Sequence, residues 1–315
     1  MTTTQSIAFS NPGPGVKDMI NRLVVFGTVF FCLVISAAVS SGRINRSDQK
    51  LTASEVVARH LESLGPADAR AKLHATQFKG TCTITVRQGG AGQVEGPVTM
   101  VSQGDQNLIS MTFDSPDYPL EAFKYDGKKF TGTQVRPGRR TPLGNFFVTH
   151  EILFKEGLVG GVLSSSWPLL NVEGKSPRLE YLGIKKIDGK EVHALKYVPH
   201  KGSDIKITLY FDVANFRHVR TDYQRTIYES EQRKIGGGGG AMPPAQDQRA
   251  ANARIEASEE FSDFKLESGL NLPHNYKFHL AIQSEAAPAL VDWEINLTEF
   301  VLNPQLDPKW FGGGS

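Results

Sequence analysis

Alternation is what most constrains this chain. Cys82, Ile84 and Val86 interleave with Thr81, Thr83 and Thr85. A side-chain period of two sends these sets to opposite faces of a strand, one buried and one wet. Residues 98–101 and 107–113 repeat the pattern. Asp126-Gly127 follows Phe123-Lys124-Tyr125, and Asp188-Gly189 separates 179–187 from 192–198. Such dipeptides supply the positive φ of a tight hairpin. Ile205, Ile207, Leu209 and Phe211 share one face, 212–216 turns, and 218–228 continues. Residues 255–266, 276–283 and 291–302 read as three closing strands. The sum is an α+β fold, with a curved antiparallel sheet forming an unclosed β-barrel.

Helices interrupt the meander twice. Thr52 with Glu55 three residues on is a capping box, and Leu51 with Val56 is a hydrophobic staple. Val56, Val57, His60, Leu61 and Leu64 then follow at helical spacing, and Gly65 ends the run. This is an N-terminal helix packed on the sheet, with His60 on its core side or rim. The alternation then breaks over 141–170. Phe146, Phe147, Leu153, Leu158, Val162 and Trp167 lie in a dense apolar segment cut by Gly157, Gly160 and Gly161 and bracketed by Pro142 and Pro168. It reads as one or two short, very apolar helices inserted between strands. Those apolar residues either fill the hollow of the sheet as core or line a cavity in it.

Residues 23–38 carry no charge, follow Lys17 and Arg22, and precede small residues. That is the layout of an export signal, with Ala38-Val39-Ser40 as a cleavage site. The alternative is an uncleaved anchor, although sixteen residues are short for roughly 30 Å of hydrocarbon. Met19 offers an alternative true start. Cys32 lacks the small residues before it that lipidation needs, and beyond this segment only Cys82 remains, so no internal disulfide can form. The chain therefore divides into an export signal or membrane anchor (1–42), a linker (43–51), one domain (52–311) with a flexible Gly-rich insertion (236–252), and a tail (312–315). The expected location is the periplasm, with the inner membrane as partner only if 23–38 stays uncleaved. A net charge of +2 over 315 residues gives no field for nucleic acid.

No catalytic constellation stands out. There is no G-x-S-x-G, H-E-x-x-H, Walker loop or C-x-x-C. His274 and His279, five apart, would point to opposite faces of a strand, which argues against a shared metal. The glycines of 89–92 lie between strands rather than before a helix. Ser164-Ser165-Ser166 reads as a turn, and Glu259-Glu260 as a solvated stretch. No metal, cofactor or enzymatic activity is expected.

Several short motifs resemble a known family. Glu62-Ser63-Leu64-Gly65 before the strand after Gly80 is similar to the opening of the periplasmic lipoprotein-carrier (LolA/LolB-like) proteins and of relatives described as outer-membrane lipoprotein-sorting proteins. The passage Tyr181-Leu182-Gly183, Asp188-Gly189, Val192, Leu195, then Tyr210-Phe211-Asp212, Arg217 and Arg220, resembles their strand–turn–strand unit. Phe264, Gly269-Leu270, Leu272-Pro273, then Asn303, Leu306-Asp307 and Phe311, resemble their closing strands. The resemblance implies a half-barrel whose helical insert, 141–170, plugs the mouth. It further implies an apolar cavity for a lipid or an acylated protein. No contact residue of the family is carried over; Phe146, Phe147, Leu153, Leu158, Val162 and Trp167 of the apolar segment are our own expectation for the lining of the cavity or its lid. The implied function is non-enzymatic binding of lipid or lipoprotein acyl chains. The alternative is a protein-interaction or envelope-sensing module with a filled cavity and an envelope protein as partner.

Overall fold

The computed structural model describes residues 51–88, 92–227, 253–284 and 288–312. The export segment, most of the 43–51 linker, the 236–252 insertion and most of the tail lie outside the described residues. Twelve strands form one antiparallel sheet. The first five are β1 (Ala75–Gln88), β2 (Gly92–Gln103), β3 (Gln106–Thr112), β4 (Leu120–Tyr125) and β5 (Phe130–Gly132). The other seven are β6 (Arg178–Ile187), β7 (Lys190–Val198), β8 (Lys206–Asp212), β9 (His218–Ile227), β10 (Ala253–Glu267), β11 (Leu270–Gln283) and β12 (Ala289–Leu302).

Their spatial order is β5-β4-β3-β2-β1-β12-β11-β10-β9-β8-β7-β6. Two meanders are thus joined along one seam, β1 against β12, and the sheet ends in two free edges, β5 and β6. It is an unclosed barrel. Its curvature shows in ring contacts. Phe123 on β4 and Trp293 on β12 are four strand spacings apart, roughly 19 Å in a flat sheet. Their ring centroids are 5.9 Å apart.

Alternation governs which residues enter the hollow. Val291, Trp293, Ile295 and Leu297 of β12 are buried, as are Tyr276, Phe278 and Leu280 of β11 and Ile207, Leu209 and Phe211 of β8. The outer face carries ion pairs such as Lys277–Glu294 and Arg220–Glu260. Helix α1 (Ala53–Leu64) starts at the expected capping box: Thr52 N–H donates to Glu55 Oε2, and Glu55 N–H to Thr52 Oγ1. It buries Val56, Val57, His60 and Leu64. A shorter helix, α2 (Ala67–Lys72), leads into β1.

Residues 133–177 connect the two free edges, so this segment must cross the open side of the sheet. It contains α3 (Pro142–Thr149), α4 (Ile152–Lys155), 3₁₀ turns at Gly161–Leu163 and Pro168–Asn171, and α5 (Val172–Lys175). Pro142 begins α3 directly after its cap, Thr141, and Pro168 begins the second 3₁₀ turn. Both sit where a missing N–H is tolerated.

Two boundaries differ from the sequence reading. Strand β11 begins at Leu270, six residues before Tyr276. It includes Pro273 because this end of the strand pairs with β10 and meets β12 only from Asn275 onward. Residues 303–311 are not a closing strand. Their 3₁₀ turn, Pro308–Phe311, places Phe311 on Val101 and Leu108 of the outer face, with Leu306 and Trp310 beside them.

Candidate functional site

The insert fills the hollow. Phe147, Leu153 and Leu158 are fully buried, and Phe146, Val162 and Trp167 nearly so. Phe147 touches Phe123, Phe278 and Trp293, with ring centroids at 4.8, 5.1 and 5.9 Å. The six expected cavity or lid residues belong to one buried cluster, with Phe147 against β4, β11 and β12 and Trp167 against His60 of α1 and His218 of β9.

Polar contacts fasten the insert at several places. The serine turn is the first. Thr76 and Ser102 share a hydroxyl contact of 2.6 Å, and Ser165 donates to Ser102 Oγ from both its N–H and its Oγ. Helix α1 is the second. Trp167 Nε1 donates to His60 Nε2 at 3.2 Å, so the His60 hydrogen sits on Nδ1, 3.2 Å from the Phe216 carbonyl. The third is a buried carboxyl. Glu259 has no exposure and accepts from Tyr223 Oη at 2.5 Å, Tyr276 Oη at 2.6 Å and the N–H of Gly160 in the insert at 2.7 Å. This corrects the reading of Glu259-Glu260 as solvated. Strand geometry splits the pair: Glu260 faces out to Arg220, and Glu259 shares the inward phase of Ile255, Ala257 and Phe261. A second inward acid, Glu121 on β4, is 2 % exposed. It takes hydrogen bonds from Tyr118 Oη and from Thr141 Oγ1, whose own oxygen caps α3 by accepting Gly144 N–H at 2.8 Å.

These groups titrate in opposed directions. Burial lifts Glu259 to about 7 against the hydrogen bonds that pull it down, and lifts Glu121 to about 8. Burial lowers His60 and His150 to about 4 and holds His218 well below its ordinary value. The unfolded chain binds protons at these histidines below about pH 6.5, so their burial costs stability as pH falls. The folded chain keeps protons on the two acids that the unfolded chain has lost above about pH 4.5, so stability falls as pH rises through 7 and 8. Thermal melts should therefore peak between about pH 6 and 7. In the double variant Glu121→Gln/Glu259→Gln the alkaline decline should flatten while the acid limb stays. A parallel alkaline decline in that variant would show that other groups cause it.

An opening beside α3 reaches this core from outside. A cleft of about 300 Å³ runs between the start of α3 and the sheet. Ile84 and Val86 of β1, Val94 of β2, Val291 of β12, and Pro142 and Leu143 of the insert form its walls, with Gln93, Tyr118, Glu121 and Thr141 as polar members. None of the six expected residues lines it; Thr141, Pro142 and Leu143 are what their segment contributes. Two other hollows are larger, the first polar and about 660 Å³, the second mainly apolar and about 790 Å³. One is a trough on the outer face among Arg87, Arg220, Glu260, Lys277 and Asp292, and the other is a groove between α1 and the Leu169–Leu179 region.

Among the described residues, no group of three or more His, Cys, Asp or Glu is placed to hold a metal ion. His274 contacts Glu267 and His279 contacts Asp292. Cys82 is buried against Met111, and burial raises its thiol pKa, which makes it a packing residue. Among the described residues no helix is long and apolar enough to cross a membrane.

An unclosed antiparallel half-barrel, plugged by a helical insert that joins its two edges, is the architecture expected from the sequence. No family model matches the sequence, and no curated protein matches it. Among solved structures the chain is similar to a LolA superfamily protein from Nitrosomonas europaea, at 11% identity and a TM-score of 0.41 over 83% of this chain and 97% of that one. It is also similar to an outer membrane lipoprotein-sorting protein domain from Vibrio parahaemolyticus, at 12% identity and 0.41 over 82% and 97%. A DUF1329 family protein from Desulfovibrio piger stands at 10% and 0.41 over 83% and 97%.

Proposed function

We propose that this protein is a non-enzymatic periplasmic binding protein for a lipid or for the acyl chain of a lipoprotein, held between the insert and the concave face of the sheet. The observation that carries the reading is the cleft at the start of α3, whose apolar walls are continuous with the aromatic core under the insert. Its volume, at the lower end for ligand sites, has room for roughly ten groups of about 30 Å³. Burying roughly eight methylenes contributes about 6 kcal/mol before ordering costs. A longer chain needs the insert to move aside. Phe146, Phe147, Leu153, Leu158, Val162 and Trp167 then become its lining. Export through 1–42 would deliver the protein to the compartment where such chains cross between membranes.

A filled hollow also suits a protein-interaction or envelope-sensing module, in which the insert never leaves. Titration with a fluorescent acyl probe separates the two. The binding protein gives a saturable signal that Val94→Trp, which obstructs the cleft, weakens at least about tenfold. A chain that binds no probe is the interaction module.

A further inference from the structure

Three arginines stand at the Tyr118–Thr141 edge of the cleft. Arg136, Pro137, Gly138 and Arg139 make a tight turn. Arg139 N–H donates to the Arg136 carbonyl at 2.8 Å, and Gly138, at φ +75°, takes the left-handed position after the proline. Gln134 Oε1 accepts the Gly138 N–H and fixes the turn. The bridge sets Arg136 opposite Arg139, so both side chains leave the same face. Arg136 pairs with Asp117 at 3.0 Å, one residue before Tyr118. Arg140 precedes Thr141, and its Cβ would stand 3.2 Å from a Cβ on Gly144, in the first turn of α3. Tyr118 and Thr141 both line the cleft, so the arginines border it without entering it.

Two of the three lack a counterion. Among the described residues no salt bridge or hydrogen bond engages the Arg139 or Arg140 side chain, and Arg140 Nε is buried without a partner. Like charges opposed across a bridge repel, and Asp117 answers only one of that pair. Glu121 is not the missing partner: it is 2 % exposed and takes its hydrogen bonds from Tyr118 and Thr141. No polar contact holds Arg140 in its resting orientation, so turning it to a ligand breaks none. A carboxylate is filled by one guanidinium fork. A phosphate monoester has oxygens and charge enough for two. The apolar cleft alongside says what carries that phosphate.

We propose that this arginine rim binds the phosphate of an anionic lipid whose acyl chain lies in the adjoining cleft. The inference rests on the acyl-chain reading and adds the headgroup to it.

Displacement of a fluorescent acyl probe from the full chain tests it, at pH 7 and about 0.1 M salt. Decanoyl lysophosphatidate and monodecanoylglycerol carry the same chain and differ in the phosphate. The phosphate ester should displace the probe at least about tenfold more effectively. Arg139→Ala/Arg140→Ala should bring the two within about twofold and leave the glycerol ester unchanged. Arg139→Glu, at an exposed side chain without a partner, should cut the advantage in the same direction even where the double variant fails to fold. Lys128→Ala/Lys129→Ala removes the same charge from the turn at the other end of β4 and should keep the preference. Inorganic phosphate should not displace the probe, because it lacks the chain. Equal displacement by the two esters, a preference that survives the arginine variants, or displacement by inorganic phosphate as effective as by the lipid overturns this inference and leaves the acyl-chain reading standing. No probe binding at all overturns both.

Discussion

A Gly80→Val chain is expected to yield no folded protein. Gly80 lies in β1 where the register against β12 shifts between Lys79 and Gly80. A Cβ placed there would stand 1.9 Å from the Asn296 carbonyl oxygen and 2.8 Å from Leu297 Cα. Backbone cannot yield as a flexible side chain would, so the strands must part. This pair is also the seam that joins the two meanders, and no other strand pairing would hold them together. Even Gly80→Ala should remove several kcal/mol from a total stability of about 5–15 kcal/mol. Gly104→Asn is the control. Its φ of +55° suits Asn, and nothing lies within 4 Å of a Cβ there. It should shift a urea midpoint by less than about 1 kcal/mol equivalent. Soluble, cooperatively unfolding Gly80→Val protein would show that the seam is not what holds the sheet.

The second large effect concerns the insert. A Cβ on Gly132 of β5 would lie 3.3 Å from Val148 Cγ2 of α3. Gly132→Cys/Val148→Cys, in a Cys32→Ser background, can therefore close a disulfide with little backbone movement. It pins α3 to the sheet edge. If long chains enter by displacing the insert, the oxidised protein should bind a long acyl probe at least about tenfold more weakly than the reduced protein. Reductant should restore binding. A short probe that fits the resting cleft should be indifferent. Equal long-probe binding in both redox states would confine ligands to the resting cleft and remove Phe146, Phe147 and Leu153 from the binding surface.

Much of the architecture was legible because it is local. Strand faces follow from period-two alternation, the Asp188-Gly189 turn from the positive φ of both residues, and the start of α1 from Thr52 and Glu55. The insert was marked by two prolines and by apolar density without alternation. The seam was not legible, since β1 and β12 stand at opposite ends of the domain and nothing local pairs them. Pro273 hid the start of β11, because a proline inside a strand signals interruption unless one side of that strand is unpaired.

The two inward acids show a different limit. Glu259 follows Ile255 and Ala257 at the inward period, and Glu121 shares the phase of Phe123. The phase was readable, but an acid is ordinarily placed outside, so residue type outweighed position. What stabilises them is supplied from elsewhere in the chain: Tyr223, Tyr276 and Gly160 for one, Tyr118 and Thr141 for the other. The cleft was likewise out of reach, because its walls come from β1, β2, β12 and the insert together.

Native mass spectrometry of the protein, purified without detergent from the cells that make it, tests the central claim most directly. The claim predicts a bound lipid-mass adduct at one per chain, lost in Val94→Trp. Bare protein in both cases, together with no uptake of a fluorescent acyl probe, would contradict it.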